Sequence, residues 1–213
     1  MLPAVRLQLL HAVSRILHRY ADWRIGATKA EKCCYKSSDS ILLTFDDYGS
    51  QQEVDDILAI LAAEHVKTMI FPCGDWAEKH PDLIQKIRSA GHILGNHTYT
   101  HPNLLTLSDA EVEDEIRKGL SGRWLRAPQG RVNQHIRTIA QRLGFSLCYW
   151  TIDSRDWTGA SVTQMRHTIL SELHPGAVIL FHMHGLHTQE LLPGLIHDIR
   201  ARGYVLTGLA EKW

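Results

Sequence analysis

From Ile41 onward, short apolar runs alternate with stretches in which apolar residues recur every three or four positions. The first pattern suits buried strands and the second suits helices with one buried stripe, so their alternation predicts βα units around a parallel sheet. Strands are predicted at Ile41–Phe45 (ILLTF), Lys67–Phe71 (KTMIF), His92–Gly95 (HILG), Arg123–Ala127 (RWLRA), Leu147–Thr151 (LCYWT), Ala177–Phe181 (AVILF) and Tyr204–Leu206 (YVL). Helices are predicted over Val54–Glu64, Pro81–Ala90, Asp109–Leu120, Gln134–Leu143, Ser161–Leu173 and Glu190–Ala201. Ser108 followed three residues later by Glu111 is a capping-box pattern, and Gly91, Gly144 and Gly203 suit helix C-termini. Such an alternation closes as a barrel or stays open as a doubly wound sheet, and strand count alone does not choose. No Gly-rich phosphate loop of the Rossmann or P-loop type is present.

Residues 1–40 break this rhythm. Their apolar positions have helical spacing but are interrupted by Arg6, His11 and Arg15, and no small-residue cleavage site follows, which makes a poor signal peptide. We expect an amphipathic helix and a polar link through KSSDS, leaving residues 41–213 as a single α/β domain. No segment approaches the roughly 20 apolar residues of a membrane span.

With 213 residues, 44% of them hydrophobic, the chain can build one sizeable core. Its 23 basic and 23 acidic residues cancel, so no overall field draws in nucleic acid or an anionic membrane. The 14 histidines raise the prior for a metal or acid–base site. Cysteines 33, 34, 73 and 148 show neither CxxC nor zinc-ribbon spacing, and Cys73 and Cys148, in apolar runs, read as buried thiols.

The placement of unusual polar residues changes the picture most. Asp46 and Asp47 follow the first predicted strand, Asn96 and His97 the third, Asp153 and Asp156 the fifth, and His182 and His184 the sixth, while Arg126 ends the fourth. In parallel α/β folds the C-terminal strand edge is where loops converge into a site. Five separate segments therefore point to one enzyme-like centre.

Within it, Asp47, His97 and His101 form a possible zinc set, three protein ligands that leave a position for water. The two histidines of GNHTYTH are four apart, which would place both on one face of a helical turn, or else they are polar residues of a loop. No glutamate lies between them as in HExxH, so a base must come from elsewhere, and Asp46 is within reach. Adjacent side chains of a strand point opposite ways, so this pairing expects the strand to end at Phe45. His182, oriented by Asp156, is the candidate acid, and Arg126 the partner of Asp46.

LTFDD, NHTYTH, RAPQG, DSRDW and LFH occur in the order and approximate spacing of the five motifs of the polysaccharide deacetylases. From Ile41 to Leu209 the chain thus resembles that family, the NodB-homology or carbohydrate esterase family 4 proteins. The resemblance implies a distorted (β/α)7-type barrel and metal-dependent, usually zinc-dependent, removal of acetyl from an N-acetylated sugar. It also implies a polymer substrate in the cell envelope or outside the cell. Asp46 then matches the catalytic base, Asp47, His97 and His101 the metal ligands, and His182 the acid, with Arg126 and Asp156 as tuning partners. Trp157 and Leu180 match the acetyl-pocket walls. Two departures stand out: Tyr48 occupies a position commonly glycine in the family, and Gln129 stands where an aromatic usually follows the proline. The family uses the latter residue's backbone N–H in its oxyanion hole, which Gln129 retains. Tyr48 would lie at the mouth of the site, and His184 is an additional histidine of open role. Two competing readings are a glycan-binding protein on this fold that has lost catalysis and an amidohydrolase of a small non-sugar amide.

Overall fold

A computed structural model describes residues 40–206, so the predicted N-terminal helix lies outside the described residues. Eight strands run β1 (Ser40–Asp47), β2 (Met69–Pro72), β3 (Ile93–Leu94), β4 (Trp124–Leu125), β5 (Ser146–Leu147), β6 (Ile152–Asp153), β7 (Val178–His182) and β8 (Val205–Leu206). The helices are α1 (Gln51–Ala63), α2 (Gly74–Lys79), α3 (Pro81–Ser89), α4 (Asp109–Lys118), α5 (Gln134–Arg142), α6 (Val162–Glu172) and α7 (Thr188–Ala201).

All strand pairs are parallel, in the order β3-β2-β1-β7-β6, with β8 on the start of β1. A separate β4-β5 pair joins this sheet through a bridge between Asn96 and Leu125. The result is the expected (β/α)7-like ring, distorted by a gap between β5 and β6. That gap corrects the predicted fifth strand. Cys148 N–H donates to Leu125 carbonyl on the β4 side, whereas Thr151 N–H donates to Val178 carbonyl on the β7 side. The apolar run LCYWT is therefore the crossing between two neighbours, and hydropathy cannot see a change of partner.

Alternation along β1 divides the core. Ile41, Leu43 and Phe45 join the layer under the helices, while Leu42 packs inside the ring with Met69, Phe71, Cys148 and Val178. Register pairs Leu42 with Val178, Thr44 with Leu180 and Asp46 with His182. One interior file thus rises from hydrocarbon to charge at its C-terminal end. The helices cover the outside by their apolar stripes, as Val54, Ile57, Leu58 and Leu61 do on α1.

The capping box at Ser108 is present, with the backbone N–H of Ser108 donating to Glu111, and Ser50–Glu53 and Ser161–Gln164 form two more. Gly91, Gly144 and Gly203 have φ of 79°, 86° and 84°, the left-handed backbone that ends a helix. Helix α2 was not predicted: six residues with Trp76 as the main apolar anchor carry no period to detect. Cys148 is disulfide-bonded, not the buried thiol its apolar run suggested, while Cys73 is free and buried.

Near the N-terminal edge, Thr68 N–H donates to His92 Nδ1 across 3.3 Å. Burial, aided by the charge of Lys67, lowers His92 from its ordinary value to about 4. The unfolded chain therefore binds a proton below about 6.5 that the folded chain refuses. The stability present above that pH should be lost progressively as pH falls toward 4, by up to about 3 kcal/mol. Urea titrations should show this component in the native chain and not in H92N, whose side chain keeps an acceptor but does not titrate; equal pH slopes would reject it.

Candidate active site

Strand β1 does not end at Phe45 as expected; it continues through Asp47. Asp46 lies inside the strand, 3% exposed, on the same interior face as Leu42 and Thr44. Asp47 reaches the same centre because its backbone turns left-handed, with φ of 72°, which breaks the strand's alternation. Neighbouring carboxylates can thus serve one site without a loop between them.

The segment carrying His97 and His101 is not a helical turn. Thr98 and His101 have φ of 64° and 61°, and the imidazoles lie 4.9 Å apart, tilted by 59°. A left-handed threonine is costly, about 1–3 kcal/mol, and needs a surrounding structure that over-determines it. That support is visible. Asn96 accepts from Thr98 N–H at 2.7 Å while its amide donates to the carbonyls of Ile116 and Leu120. Glu115 of α4 accepts from the backbone N–H groups of Tyr99 and Thr100 and from the Thr100 hydroxyl, at 3.0, 2.8 and 2.8 Å. The first N–H groups of α2 complete the frame: Gly74 donates to Thr98 carbonyl and Asp75 to Tyr99 carbonyl, while Cys73 just before them donates to Asp47 carbonyl. Gly74 has no room for a side chain, since a Cβ would lie 2.9 Å from Gly119 and from the Tyr99 ring.

This frame brings Asp47, His97 and His101 together, their ligand atoms all within 4.8 Å of one another. His97 Nδ1 lies 2.7 Å from the Arg126 carbonyl, which accepts its proton and leaves Nε2 as a lone-pair donor. Asp47 Oδ1 is buried without a hydrogen-bond partner among the described residues, yet His97 Nε2 and His101 Nε2 approach it to 3.1 and 3.2 Å. Converging electron pairs of this kind fit a shared cation. The separations match the roughly 3.3 Å edge of a tetrahedron built on zinc–ligand bonds of about 2.0–2.1 Å. Burial works to raise Asp47, but the contact with His97 and the charges of His97, His101 and His182 outweigh it and hold the carboxyl at about 2. His97 is raised, since burial is opposed by Asp46 and Asp47, and His101 is lowered by burial and by His97.

On one side of this set, the wholly buried Arg126 donates through Nη1 to Asp46 Oδ1 at 2.7 Å and to the Thr44 hydroxyl at 2.8 Å. Its Nε donates to Cys148 carbonyl, and its plane lies over Phe71, 4.3 Å from the ring centroid. On the other side, His182 Nδ1 lies 2.8 Å from Asp156 Oδ1, and its Nε2 stands 3.9 Å from Asp47 Oδ2. Asp156 is fully buried and also accepts from the His182 backbone N–H and the Thr188 hydroxyl. Burial works to lower His182, but the hydrogen bond and charge of Asp156, with Asp46 and Asp47 beyond, push it up to about 9. Gly185 roofs this carboxylate; a Cβ there would lie 2.0 Å from Asp156 Oδ2.

The remaining sequence candidates sit around this centre. Leu180 is buried one pleat beneath His182, on the same face of β7. Trp157 is 56% exposed after β6, its indole N–H donating to Asp153. Gln129 is exposed at φ of 57° and makes no side-chain hydrogen bond to the cluster among the described residues. Tyr48 stacks on His184 at 4.8 Å beside His182. Sequence reasoning missed Thr44, Glu115, Gly185 and Thr188, which touch the candidates through ordinary residue types on separate elements.

A family profile described as Polysaccharide deacetylase matches residues 35–148, a stretch that holds Asp46, Asp47, His97, His101 and Arg126. The chain belongs to the polysaccharide deacetylase family. Asp156 and His182 lie beyond that match. Similar members include the peptidoglycan-N-acetylglucosamine deacetylase of Bacillus cereus, 32% identical over 76% of this chain and 64% of the relative. The chitooligosaccharide deacetylase of Rhizobium leguminosarum bv. trifolii is 31% identical over 81% of this chain and 91% of the relative. A solved CE4 family pseudoenzyme from Bacillus anthracis superposes with a TM-score of 0.77 at 28% identity, covering 81% of this chain and 64% of that one. The chain thus spans under two thirds of two of these three proteins.

Two substitutions test the frame of this site. Glu115→Ala should leave the fold intact and weaken divalent-metal binding about 10- to 100-fold in a chelator-competition titration, since it frees the histidine loop; unchanged affinity would assign the loop's order to Asn96 and α2 alone. Arg126→Leu strands a buried carboxylate and should cost about 3–5 kcal/mol in urea denaturation. Restoring neutrality in R126L/D46L should recover a large part of that loss, and equal losses in both variants would deny the pair its importance.

Proposed function

We propose that this chain is a metal-dependent N-deacetylase of an amino-sugar polymer or oligomer, of the chitin-oligosaccharide or peptidoglycan type, with zinc as its metal. One observation carries the reading: the Asp46–Arg126 pair at 2.7 Å and the His182–Asp156 pair at 2.8 Å flank the same Asp47, His97 and His101 set. Two imidazoles and one carboxylate suit zinc. When bound there, the metal would supply Lewis-acid polarisation of the acetamide carbonyl and a more acidic water.

The protein's own groups account for the proton inventory. Asp46, anchored by Arg126, accepts the proton of the attacking water. His182, which Asp156 keeps protonated near neutral pH, gives its proton to the departing sugar amine. The backbone N–H of Gln129 is the oxyanion donor, and Leu180 with Trp157 borders the acetyl methyl. The names of the Bacillus cereus and Rhizobium relatives support the substrate class. The disulfide at Cys148 suits an oxidising compartment, which supports an envelope or extracellular place of action. Among the described residues no helix is long and apolar enough to cross a membrane.

The pseudoenzyme neighbour favours a second reading, a silent glycan-binding protein. Pure binding needs neither a paired base nor a paired acid, and this site holds both. Asp46→Asn should retain one zinc per chain and lose acetate release from N-acetylglucosamine oligomers by about 100- to 10,000-fold. Undiminished release would remove Asp46 from the mechanism. Glycan binding by the native zinc-loaded chain without any release would establish the second reading, and faster turnover of small amides would redirect the substrate.

A further inference from the structure

Exposed apolar side chains are not scattered over this molecule. Among the described residues the large ones are Tyr48, Leu105, Trp157, Leu186 and Val205. The first four stand on the loops after β1, β3, β6 and β7, which directly follow Asp47 and His182 and carry His101 and Asp156. Exposed apolar surface gathered around a polar centre marks a binding rim.

Tyr48 is the most firmly held member of this rim. Its ring lies 4.8 Å from that of His184 with planes 11° apart, and His184 lies 5.8 Å from His182. His184 is partly buried and Tyr48 is 52% exposed, so the rings step outward from His182 to solvent. The backbone beneath is tied on three sides. His184 Nδ1–H donates to Tyr48 carbonyl at 3.2 Å, Trp76 donates to Gly49 carbonyl at 3.0 Å, and Ser50 caps α1. Gly49 itself presses on Met183, where a Cβ would approach that side chain to 3.3 Å. An aromatic ring half in water over such an anchored backbone offers a flat face at little cost in lost freedom. The ligand chemistry that uses a flat apolar face edged by polar groups is a pyranose ring.

We propose that the stacked Tyr48–His184 pair is a sugar subsite, a fixed platform for the unit next to the one whose acetamide meets His182. It makes the centre selective for amino-sugar oligomers over single sugars and small amides. The inference rests on the glycan reading of the site and adds to it a chain-length preference carried by two residues outside the metal, base and acid groups.

Calorimetric titration in the zinc-loaded D46N background, where turnover is suppressed, tests it. N-acetylglucosamine and its tetramer are the probes, joined by a tetramer of alternating N-acetylglucosamine and N-acetylmuramic acid. Adding Tyr48→Ala should weaken binding of at least one tetramer about tenfold while changing the monosaccharide by less than about twofold. His184→Ala should act in the same direction, and melting curves establish that both variants are folded. Equal tetramer affinity with and without Tyr48, an equal loss for monomer and tetramer, or no tetramer binding to D46N would overturn the subsite. Tyr48-dependent tetramer binding in a native chain that releases no acetate would overturn the deacetylase reading and leave the subsite standing.

Discussion

The site is organised around a guanidinium that never meets water. Arg126 is wholly buried in the ring, and burying an unpaired charge there would cost several kcal/mol. Its partners offset that cost: Asp46, Thr44 and Cys148 carbonyl take its N–H groups, and Phe71 lies against its face. The same residue's carbonyl accepts from His97 Nδ1 and its N–H donates to Asn96 carbonyl. Asp46, His97 and the barrel interior are therefore tied to one residue. A shift of β4 would disturb the carboxylate and the imidazole together.

Much of this was legible in the sequence because it depends on position along strands. Alternation from Leu42 through Asp46, and the fall of polar residues at strand ends, located the centre before any distance was known. The pairs Asp46–Arg126 and Asp156–His182 followed from strand order and from charge. What could not be read depends on contacts between elements or on backbone handedness. Nothing in GNHTYTH reveals that Thr98 and His101 are left-handed, so the four-residue spacing left helical turn and loop both open where there is a strained loop. Asp47 misled in the same way, since its φ of 72° undoes the strand rule that appeared to demand a break at Phe45.

Helix α2 shows why short elements escape pattern reading and still matter. It buries little beyond Trp76, but its first turn points N–H groups at the carbonyls of the histidine loop. Helix N-termini offer such donors because their own first N–H groups lack intrahelical partners. The six residues GDWAEK thus do for the backbone what Glu115 does from the opposite side. Order in the histidine loop comes from its neighbours, not from its own conformational preference.

Because those neighbours are all protein groups, the bonds that order the histidine loop run between protein atoms. In zinc fingers binding and folding are one event, and chelators unravel the domain. Here the strain of a left-handed threonine is met by Asn96, Glu115 and α2. Protein contacts thus shape the loop, and the Nε2 edges of its two imidazoles are left for chemistry.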